Sequence, residues 1–86
     1  MPNATLHVRI VSPQEIILDT QAESVSSHNI AGSFDILPQH ANFITLIEKN
    51  PIIIRSKGEK PLTFTFPLAI ILTYEDRVNI YTYIQS

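Results

Sequence analysis

Short runs of apolar residues, separated by turn residues, recur about every 8 to 12 positions along the chain. Helical periodicity is nearly absent. The first run shows the typical pattern, because Leu6, Val8 and Ile10 alternate with His7 and Arg9. A strand with this alternation turns its apolar side chains to a core and its polar side chains outward. The pattern therefore predicts an all-β protein, built as a sandwich or a barrel.

The later runs place the other strands. Residues 15–27 are long for one strand and become polar halfway, so this segment is expected to bend or to cross between sheets. The consecutive isoleucines from Ile52 to Ile54 indicate burial on both faces or a place where two sheets meet. Further strands are predicted at 34–37, 43–47, 62–66, 69–73 and 78–84. Ile84 is expected on the inner side of the last strand. Because no repeat or linker divides the runs, residues 1–86 are expected to form one domain.

Composition narrows the classes of function. Hydrophobic residues make up 44% of the 86 residues and charged residues 16%, which is the balance of a globular protein and not of a disordered one. The formal net charge is −2, and the six basic residues are scattered along the chain. A protein that binds nucleic acid concentrates positive charge on one surface to neutralise phosphates. Nucleic acid is therefore not an expected partner.

Cysteine content and the length of apolar runs bear on the compartment. The chain contains no cysteine, so it forms no disulfides and offers no thiolate chemistry, and a reducing compartment is favoured. No run approaches the roughly 20 apolar residues that a membrane-spanning helix needs, and the N-terminus does not show the succession of a signal peptide. Any association with a membrane is therefore expected to be indirect, through another protein.

No catalytic, cofactor-binding or metal-binding motif is evident. The three histidines, His7, His28 and His40, lack the pair spacing of a zinc site. Glu75 and Asp76 are adjacent, but neighbours at the end of a strand point in opposite directions, which argues against a shared carboxylate site. There is no Gly-x-Ser-x-Gly motif, and two glycines are too few for a phosphate-binding loop of the usual type. We therefore expect no catalytic residue, no cofactor and no bound metal.

Two alternatives to a purely structural role remain open. Tyr74, Tyr81 and Tyr83 could line a groove for carbohydrate or peptide, because an aromatic ring stacks while its hydroxyl forms hydrogen bonds. Tyr81 and Tyr83 would then be exposed side by side in a concave strip. A small hydrolase would instead require a histidine and a carboxylate to converge in a pocket. Without a catalytic motif, a binding or structural role is the leading prediction.

The least routine segment is GSFDILPQHANFI, residues 32–44. Its apolar positions predict a strand, a tight turn at Pro38, Gln39 and His40, and a second strand. His40 has no chemical partner at useful spacing. It is either a turn residue hydrogen-bonded to the local backbone or part of a surface that holds a partner.

The longer segment AESVSSHNIAGSFDILPQHANFI resembles the amino-terminal β-sandwich domain of the epsilon subunit of F-type ATP synthases, the counterpart of the mitochondrial delta subunit. The positions that coincide with the family pattern without a gap are Glu23-Ser24-Val25, Gly32, Ile36-Leu37-Pro38, His40 and Ala41. The opening LHVRIVSPQEII and the closing EDRVNIY also resemble this family. The resemblance therefore covers the whole chain.

The resemblance implies a two-sheet, largely antiparallel β-sandwich of about eight to ten short strands. It also implies a non-catalytic rotor subunit that links the gamma subunit to the ring of c subunits and couples ion translocation to ATP synthesis. Such a subunit is peripheral on the cytoplasmic face of the cell membrane. The surface implied for the c ring is the loop of Gly32, Ser33, Phe34 and Asp35, and the surface implied for gamma is Gln39, His40 and Ser12.

The chain departs from the family pattern at several positions. The family's Pro-Gly after the second strand is His28-Asn29 here, its Gly-Glu-Leu-Gly is the segment 32–35, and the glycine of its Pro-Gly-His is Gln39. These changes alter turn geometry and surface shape. The family's carboxy-terminal helical hairpin, which inhibits ATP hydrolysis and in some bacteria binds ATP, has no counterpart after Ile84. That form of autoinhibition is therefore expected to be absent.

Overall fold

A computed structural model describes residues 5–83 and contains nine β-strands, with no helix in that part of the chain. The strands are β1 (Leu6–Val11), β2 (Ile16–Ala22), β3 (Ser24–Asn29), β4 (Gly32–Ile36), β5 (Phe43–Ile47), β6 (Pro51–Arg55), β7 (Leu62–Thr65), β8 (Ala69–Tyr74) and β9 (Arg77–Thr82). The predicted all-β class is confirmed, and the number of strands lies in the expected range. The prediction made for Ile84 falls outside the described residues.

The strands form two packed sheets. One sheet has five strands in the order β2-β1-β9-β8-β5, and the other has four in the order β4-β3-β6-β7. Every neighbouring pair is antiparallel except β1 and β9, which run parallel. The two-sheet, largely antiparallel sandwich that the resemblance implied is therefore confirmed.

The chain crosses from one sheet to the other at Glu23. The preceding strand, β2, ends at Ala22 in the five-stranded sheet, and β3 begins at Ser24 in the four-stranded sheet. The amide of Glu23 donates a hydrogen bond of 2.7 Å to the carbonyl of Arg55, which ties the crossing residue to β6. The predicted crossing within residues 15–27 is therefore found, as two strands and not as one bent strand.

The core lies between the sheets and is filled by aliphatic side chains from both. Along β1, Leu6, Val8 and Ile10 are buried while His7 and Arg9 are only partly covered. The other buried hydrophobic residues are Ala22, Val25, Ile36, Ile47, Ile52, Ile54, Ala69, Ile71, Val78 and Ile80. Because each fully buried valine, leucine or isoleucine contributes roughly 1.5–3 kcal/mol, these side chains are the main source of stability.

Strands β6 and β7 test two further predictions. Ile52 and Ile54 are buried, but Ile53 points outward and is only half-buried, so full burial on both faces is wrong for this residue. The regular alternation in residues 62–66 does give a strand, β7, at the edge of its sheet. Leu62 is 44% exposed, because an edge strand has a neighbouring strand on one side alone.

Candidate partner-binding surfaces

The hairpin between β3 and β4 carries the residues expected to face a c ring. Ile30 and Ala31 form its two-residue turn, and the side-chain oxygen of Asn29 accepts a hydrogen bond of 2.8 Å from the amide of Ala31. Gly32 follows with a φ of +127°, a conformation that residues with a Cβ rarely adopt. The turn itself therefore requires this glycine. The strand predicted at 34–37 is found as β4, but it already begins at Gly32, so residues 32–35, implied as a partner-binding loop, lie in the strand.

Side chains alternate along β4, so the four expected c-ring residues do not share one face. Ser33 and Asp35 point outward, whereas Phe34 faces the core and meets Phe43 edge-on at a ring-centroid distance of 5.2 Å. The hydroxyl of Ser33 lies 3.1 Å from Nδ1 of His28 on β3. The hairpin thus presents Ser33 and Asp35 to its surroundings and uses Phe34 for packing.

Asp35 belongs to a hydrogen-bonded network on the outer face of the four-stranded sheet. The hydroxyl of Ser26 donates to the Asp35 carboxylate and accepts a hydrogen bond of 2.9 Å from the guanidinium of Arg55. The three residues lie on the neighbouring strands β4, β3 and β6. Because each charged group has a polar partner within the sheet, this face is well suited to contact with water.

The segment from Leu37 to His40 is the predicted tight turn. The amide of His40 donates a hydrogen bond of 3.1 Å to the carbonyl of Leu37. Pro38 occupies the second position of the turn, and Gln39 occupies the third with a φ of 68°. This arrangement is the signature of a type II turn, in which the third residue is usually glycine. The prediction of a tight turn is confirmed, and Gln39 holds a conformation that favours glycine.

Asp76 fixes this turn to the five-stranded sheet. Its carboxylate accepts a hydrogen bond from the amide of Gln39, and its carbonyl accepts one of 2.9 Å from the amide of His7. Asp76 and Glu75 form the two-residue turn between β8 and β9, with φ values of 62° and 47°, as in the type I′ turns common in hairpins. Sequence analysis missed this role, because Asp76 lies far from Gln39 along the chain.

His40 takes the local role that one of the two interpretations assigned to it. Its Nδ1 donates to the carbonyl of Ala41 at 2.7 Å, and its ring packs edge-on against Phe43 at a centroid distance of 5.6 Å. The side chain is half-buried. His40 therefore shapes the turn and still has an accessible edge that a partner could touch.

Ser12 lies at the opposite end of the five-stranded sheet from Gln39 and His40. It follows β1 and closes the turn to β2, since its hydroxyl accepts hydrogen bonds from the amides of Gln14 and Glu15 at 3.3 and 3.2 Å. The other end of β1 is where His7 meets the turn that holds Gln39. A strand of six residues is roughly 20 Å long, so these expected gamma contacts do not form one compact cluster.

The arrangement of histidines gives little support to hydrolysis. His7 is hydrogen-bonded to the Asp19 carboxylate on an exposed surface, but no serine or threonine hydroxyl is hydrogen-bonded to His7 among residues 5–83. His28 and Ser33 are hydrogen-bonded, but the nearby carboxylate of Asp35 bonds to Ser26. A hydrolytic triad needs an acidic group that orients the histidine, and none is hydrogen-bonded to His28 among residues 5–83. That part of the chain also contains no group of three or more residues suited to hold a metal ion.

The tyrosines are exposed, as the carbohydrate or peptide hypothesis required. Tyr81 and Tyr83 are both exposed near the end of β9. The cross-strand neighbours of Tyr81 are Ile70 and Val11, which are aliphatic and offer no hydrogen bonds to a sugar.

Within residues 5–83, no helix is long and apolar enough to cross a membrane.

Comparison with known proteins gives a consistent match. The family model for the β-sandwich domain of the ATP synthase delta/epsilon chain matches residues 5–83. The ATP synthase epsilon chain of Brevibacillus brevis is 26% identical over 73 residues, which are 85% of this chain and 55% of that protein. The epsilon chain of Campylobacter concisus is 38% identical over 55 residues, which are 64% of this chain and 43% of that protein. The chain spans about half the length of these curated relatives.

Solved structures show the same fold. A chain in the mitochondrial ATP synthase of Euglena gracilis, in a structure that includes the c-ring, superposes with a TM-score of 0.84 at 15% identity, over 93% of this chain and 51% of that one. A chain in the central stalk and c-ring of the Tetrahymena thermophila mitochondrial ATP synthase gives a TM-score of 0.77 at 13% identity, over 92% and 63% of the two chains. At these identities the likeness concerns the fold.

Proposed function

The chain belongs to the family of ATP synthase delta/epsilon-chain β-sandwich domains, and we propose that it is a non-catalytic rotor part of an F-type ATP synthase. In this proposal it links the gamma subunit to the c ring and couples ion translocation to ATP synthesis. It lies on the cytoplasmic face of the membrane and reaches the membrane only through the complex. The epsilon-chain relatives and the likeness to chains of solved ATP synthases support this proposal.

The observation that carries the proposal is the attachment of the Leu37–His40 turn to the five-stranded sheet. A part that transmits torque must pass force from its contact residues into a stiff body without deforming. The Asp76 carboxylate holds the amide of Gln39, and the Asp76 carbonyl holds β1 through His7. A force on the turn therefore passes directly into three strands, β1, β8 and β9.

Further hydrogen bonds join the two sheets outside the core. The side-chain amide of Asn29 donates to the Thr45 hydroxyl at 2.9 Å, which links the β3–β4 hairpin to β5. The amide of Lys49, beyond β5, donates to the carbonyl of Phe66, beyond β7, at 3.1 Å. Together with the bond at Glu23, these links restrain sliding of one sheet over the other, as a rotor part requires.

In this proposal two groups of residues meet different partners. Ser33 and Asp35, on the outer side of β4, offer polar contacts to the c ring, while Gly32 and Phe34 support them from the turn and the core. Gln39, His40 and Ser12 contact gamma. The spread of the gamma residues along the sheet calls for an extended contact and not for a single small pocket.

Co-purification with gamma tests the proposal. The chain is expressed together with a tagged gamma subunit, and the tagged protein is captured and washed. Retention of the chain in a stoichiometric complex is expected, and the same complex should then bind isolated c rings. A chain that is folded by circular dichroism and yet does not bind gamma contradicts the proposal.

A further inference from the structure

In the part of the chain that the structure describes, each sheet ends in two edge strands, and three of these four edges are protected. An edge strand leaves a row of backbone groups without a partner, and charge, proline, bulges or short length discourage another chain from pairing there. Strand β2 carries Asp19, and its register with β1 is interrupted. Strand β4 begins at Gly32 with a positive φ and carries Asp35. Strand β7 has only four residues, with Pro61 before it and Pro67 after it.

The fourth edge strand, β5, has none of these features. Its five residues, FITLI, include no charge, proline or glycine, and they pair with β8 in an unbroken register from Phe43 to Ile47. β-Branched and aromatic residues of this kind favour an extended strand. Within residues 5–83, no hydrogen bond joins the backbone of β5 to a group outside β8. The outer edge of β5 therefore offers a row of unpaired backbone donors and acceptors.

The side chains along this edge are apolar and open to solvent. Ile44 is 67% exposed and Leu46 49%, and both point away from the core. Polar residues at outward positions of an edge keep a strand soluble and separate, so these two side chains leave the edge open to pairing. The combination of unpaired backbone and exposed apolar side chains suits the addition of another strand.

Strand β5 is complementary to itself in the antiparallel direction. If two copies of the strand meet around a two-fold axis at Thr45, Ile44 of each copy lies opposite Leu46 of the other, and Phe43 lies opposite Ile47. Outward residues then face outward residues, and residues with unpaired backbone groups face their like. Each of these cross-strand pairs is apolar, which is the kind of pair that stabilises a sheet.

The charges near β5 are compatible with this register alone. A shift by one residue would place outward side chains opposite inward ones. A shift by two residues would place Ile44 opposite Glu48, or Leu46 opposite Asn42. In the register centred on Thr45, Glu48 of one copy falls opposite Asn42 of the other. The two Glu48 carboxylates are then six residues apart along the strands, or about 20 Å, where salt screens their repulsion.

We propose that two copies of this chain associate by antiparallel pairing of their β5 strands. The two five-stranded sheets then form one sheet of ten strands, with Ile44 and Leu46 of both copies in one apolar patch. Because the other edges are protected, association stops at a closed, two-fold dimer. A single strand pair is a small interface, so the dissociation constant should lie between about 10 µM and 1 mM. This association goes beyond the rotor function, since it involves neither gamma nor the c ring.

Sedimentation equilibrium of the full chain, with charged variants at the edge, tests the inference. The double variant Ile44→Lys/Leu46→Lys places lysine opposite lysine, and Ile44→Glu/Leu46→Glu places glutamate opposite glutamate. Each should weaken dimerisation by at least about tenfold. An equimolar mixture of the two variants should dimerise again, because lysine then lies opposite glutamate. Thermal unfolding shows that each variant is folded, and recovery in the mixture shows that neither has lost the edge itself.

A substitution beside the edge is the matched control. Ile70 is the cross-strand neighbour of Leu46 on β8, points outward and is 41% exposed, but it does not lie at an edge. Ile70→Lys should change the dissociation constant by less than about twofold if the copies pair through β5, because outward positions on a central strand do not touch the second copy. It should dissociate the dimer if the copies instead stack through the outer faces of their sheets.

Single cysteines test the register, since the chain has none of its own. Under a mild oxidant, a mixture of Ile44→Cys and Leu46→Cys should form disulfide-linked dimers several times faster than either variant alone. The reason is that residue 44 of one copy lies directly opposite residue 46 of the other, whereas identical positions are diagonal neighbours and farther apart. Faster linkage within either single variant would overturn the register centred on Thr45.

The remaining outcomes are equally decisive. If the folded, unaltered chain is a monomer up to about 1 mM, the proposal is wrong. If Ile70→Lys dissociates the dimer and the charged edge variants do not, the assignment to β5 is overturned. Species larger than a dimer would contradict the protection of the other edges. Binding of gamma is measured separately, so a chain that dimerises and fails to bind gamma refutes the rotor function and leaves this inference standing.

Discussion

The two sheets bury the same kind of aliphatic side chain inside and present different chemistry outside. On the four-stranded sheet, the outward residues Ser26, Asp35 and Arg55 bond to one another across three strands. On the five-stranded sheet, each strand places one outward apolar residue in the same row, and we call this row the apolar band: Leu46, Ile70, Tyr81, Val11 and Ile16. Hydrogen-bonded polar groups are satisfied in water, whereas exposed apolar groups gain free energy when another surface covers them. The contrast favours polar contacts, with water or with the proposed c ring, on the four-stranded sheet and an apolar contact on the five-stranded sheet.

The inner faces of the sheets should not share this difference. Ile80→Ala in the five-stranded sheet and Ile54→Ala in the four-stranded sheet each remove most of a fully buried side chain. Each variant should lose about 2–5 kcal/mol in the free energy of unfolding, measured by urea denaturation. If one variant lost less than about 1 kcal/mol, the two sheets would not share a single core. The sheets would then differ on their inner faces as well as on their outer faces.

The stability of the five-stranded sheet at the end near Gln39 should depend on Asp76. Asp76→Ala removes the acceptor for the amide of Gln39 and places alanine at a φ of 62°. We expect a loss of about 1–2 kcal/mol in the free energy of unfolding. Asp76→Asn is the matched control, because asparagine keeps an oxygen acceptor and tolerates this backbone conformation, and it should cost less than half as much. Equal losses in urea denaturation would show that the link to Gln39 contributes nothing.

Glycine in place of Gln39 should stabilise the Leu37–His40 turn. Gln39 has a φ of 68°, and a residue with a Cβ is strained in this region. Gln39→Gly should therefore raise the free energy of unfolding by about 0.5 kcal/mol, because relief of strain outweighs the entropy that glycine loses on folding. The control is Gln14→Gly, since Gln14 lies in another turn without a positive φ. Loss of stability in Gln39→Gly, seen in thermal unfolding, would contradict the assigned turn geometry.

The smallest effect is expected on the polar outer face. Asp35→Ala breaks the hydrogen bond from Ser26 on an exposed surface, and exposed charged contacts contribute little to stability. The variant should lose no more than about 0.5 kcal/mol and should bind gamma as the unaltered chain does. A drop in gamma affinity of about tenfold or more would place the partner on both faces of the sandwich and remove the contrast between them.

Local pattern was sufficient for most of the fold, because strand positions depend on alternation within a few residues. Residues 43–47 were predicted as a strand and are β5, and the crossing predicted within 15–27 occurs at Glu23. The tight turn at Pro38 and Gln39 also followed from local chemistry. Each of these features is set by neighbours in the chain.

The remaining features depend on which strands pair and in which register, and no local pattern reports that. The link between Gln39 and Asp76 joins residues in different turns. The apolar band exists because five separate strands place one apolar residue each in the same row. Ser12 and Gln39 were grouped as one surface, but the parallel pairing of β1 with β9 puts them at opposite ends. The resemblance to the family pointed to these residues, but their positions relative to each other follow only from the order and direction of the strands.

Cysteine labelling tests the central contrast most directly. Because the chain has no cysteine, Ile70→Cys and Thr63→Cys each introduce a single thiol, one in the apolar band and the other on the outer face of the four-stranded sheet. The rate of reaction with a maleimide is measured for each variant, free and bound to gamma. We predict that gamma slows labelling at residue 70 by at least about tenfold, as expected for a contact buried in an interface, and leaves residue 63 unchanged. Slower labelling at residue 63 with residue 70 unaffected would contradict the account.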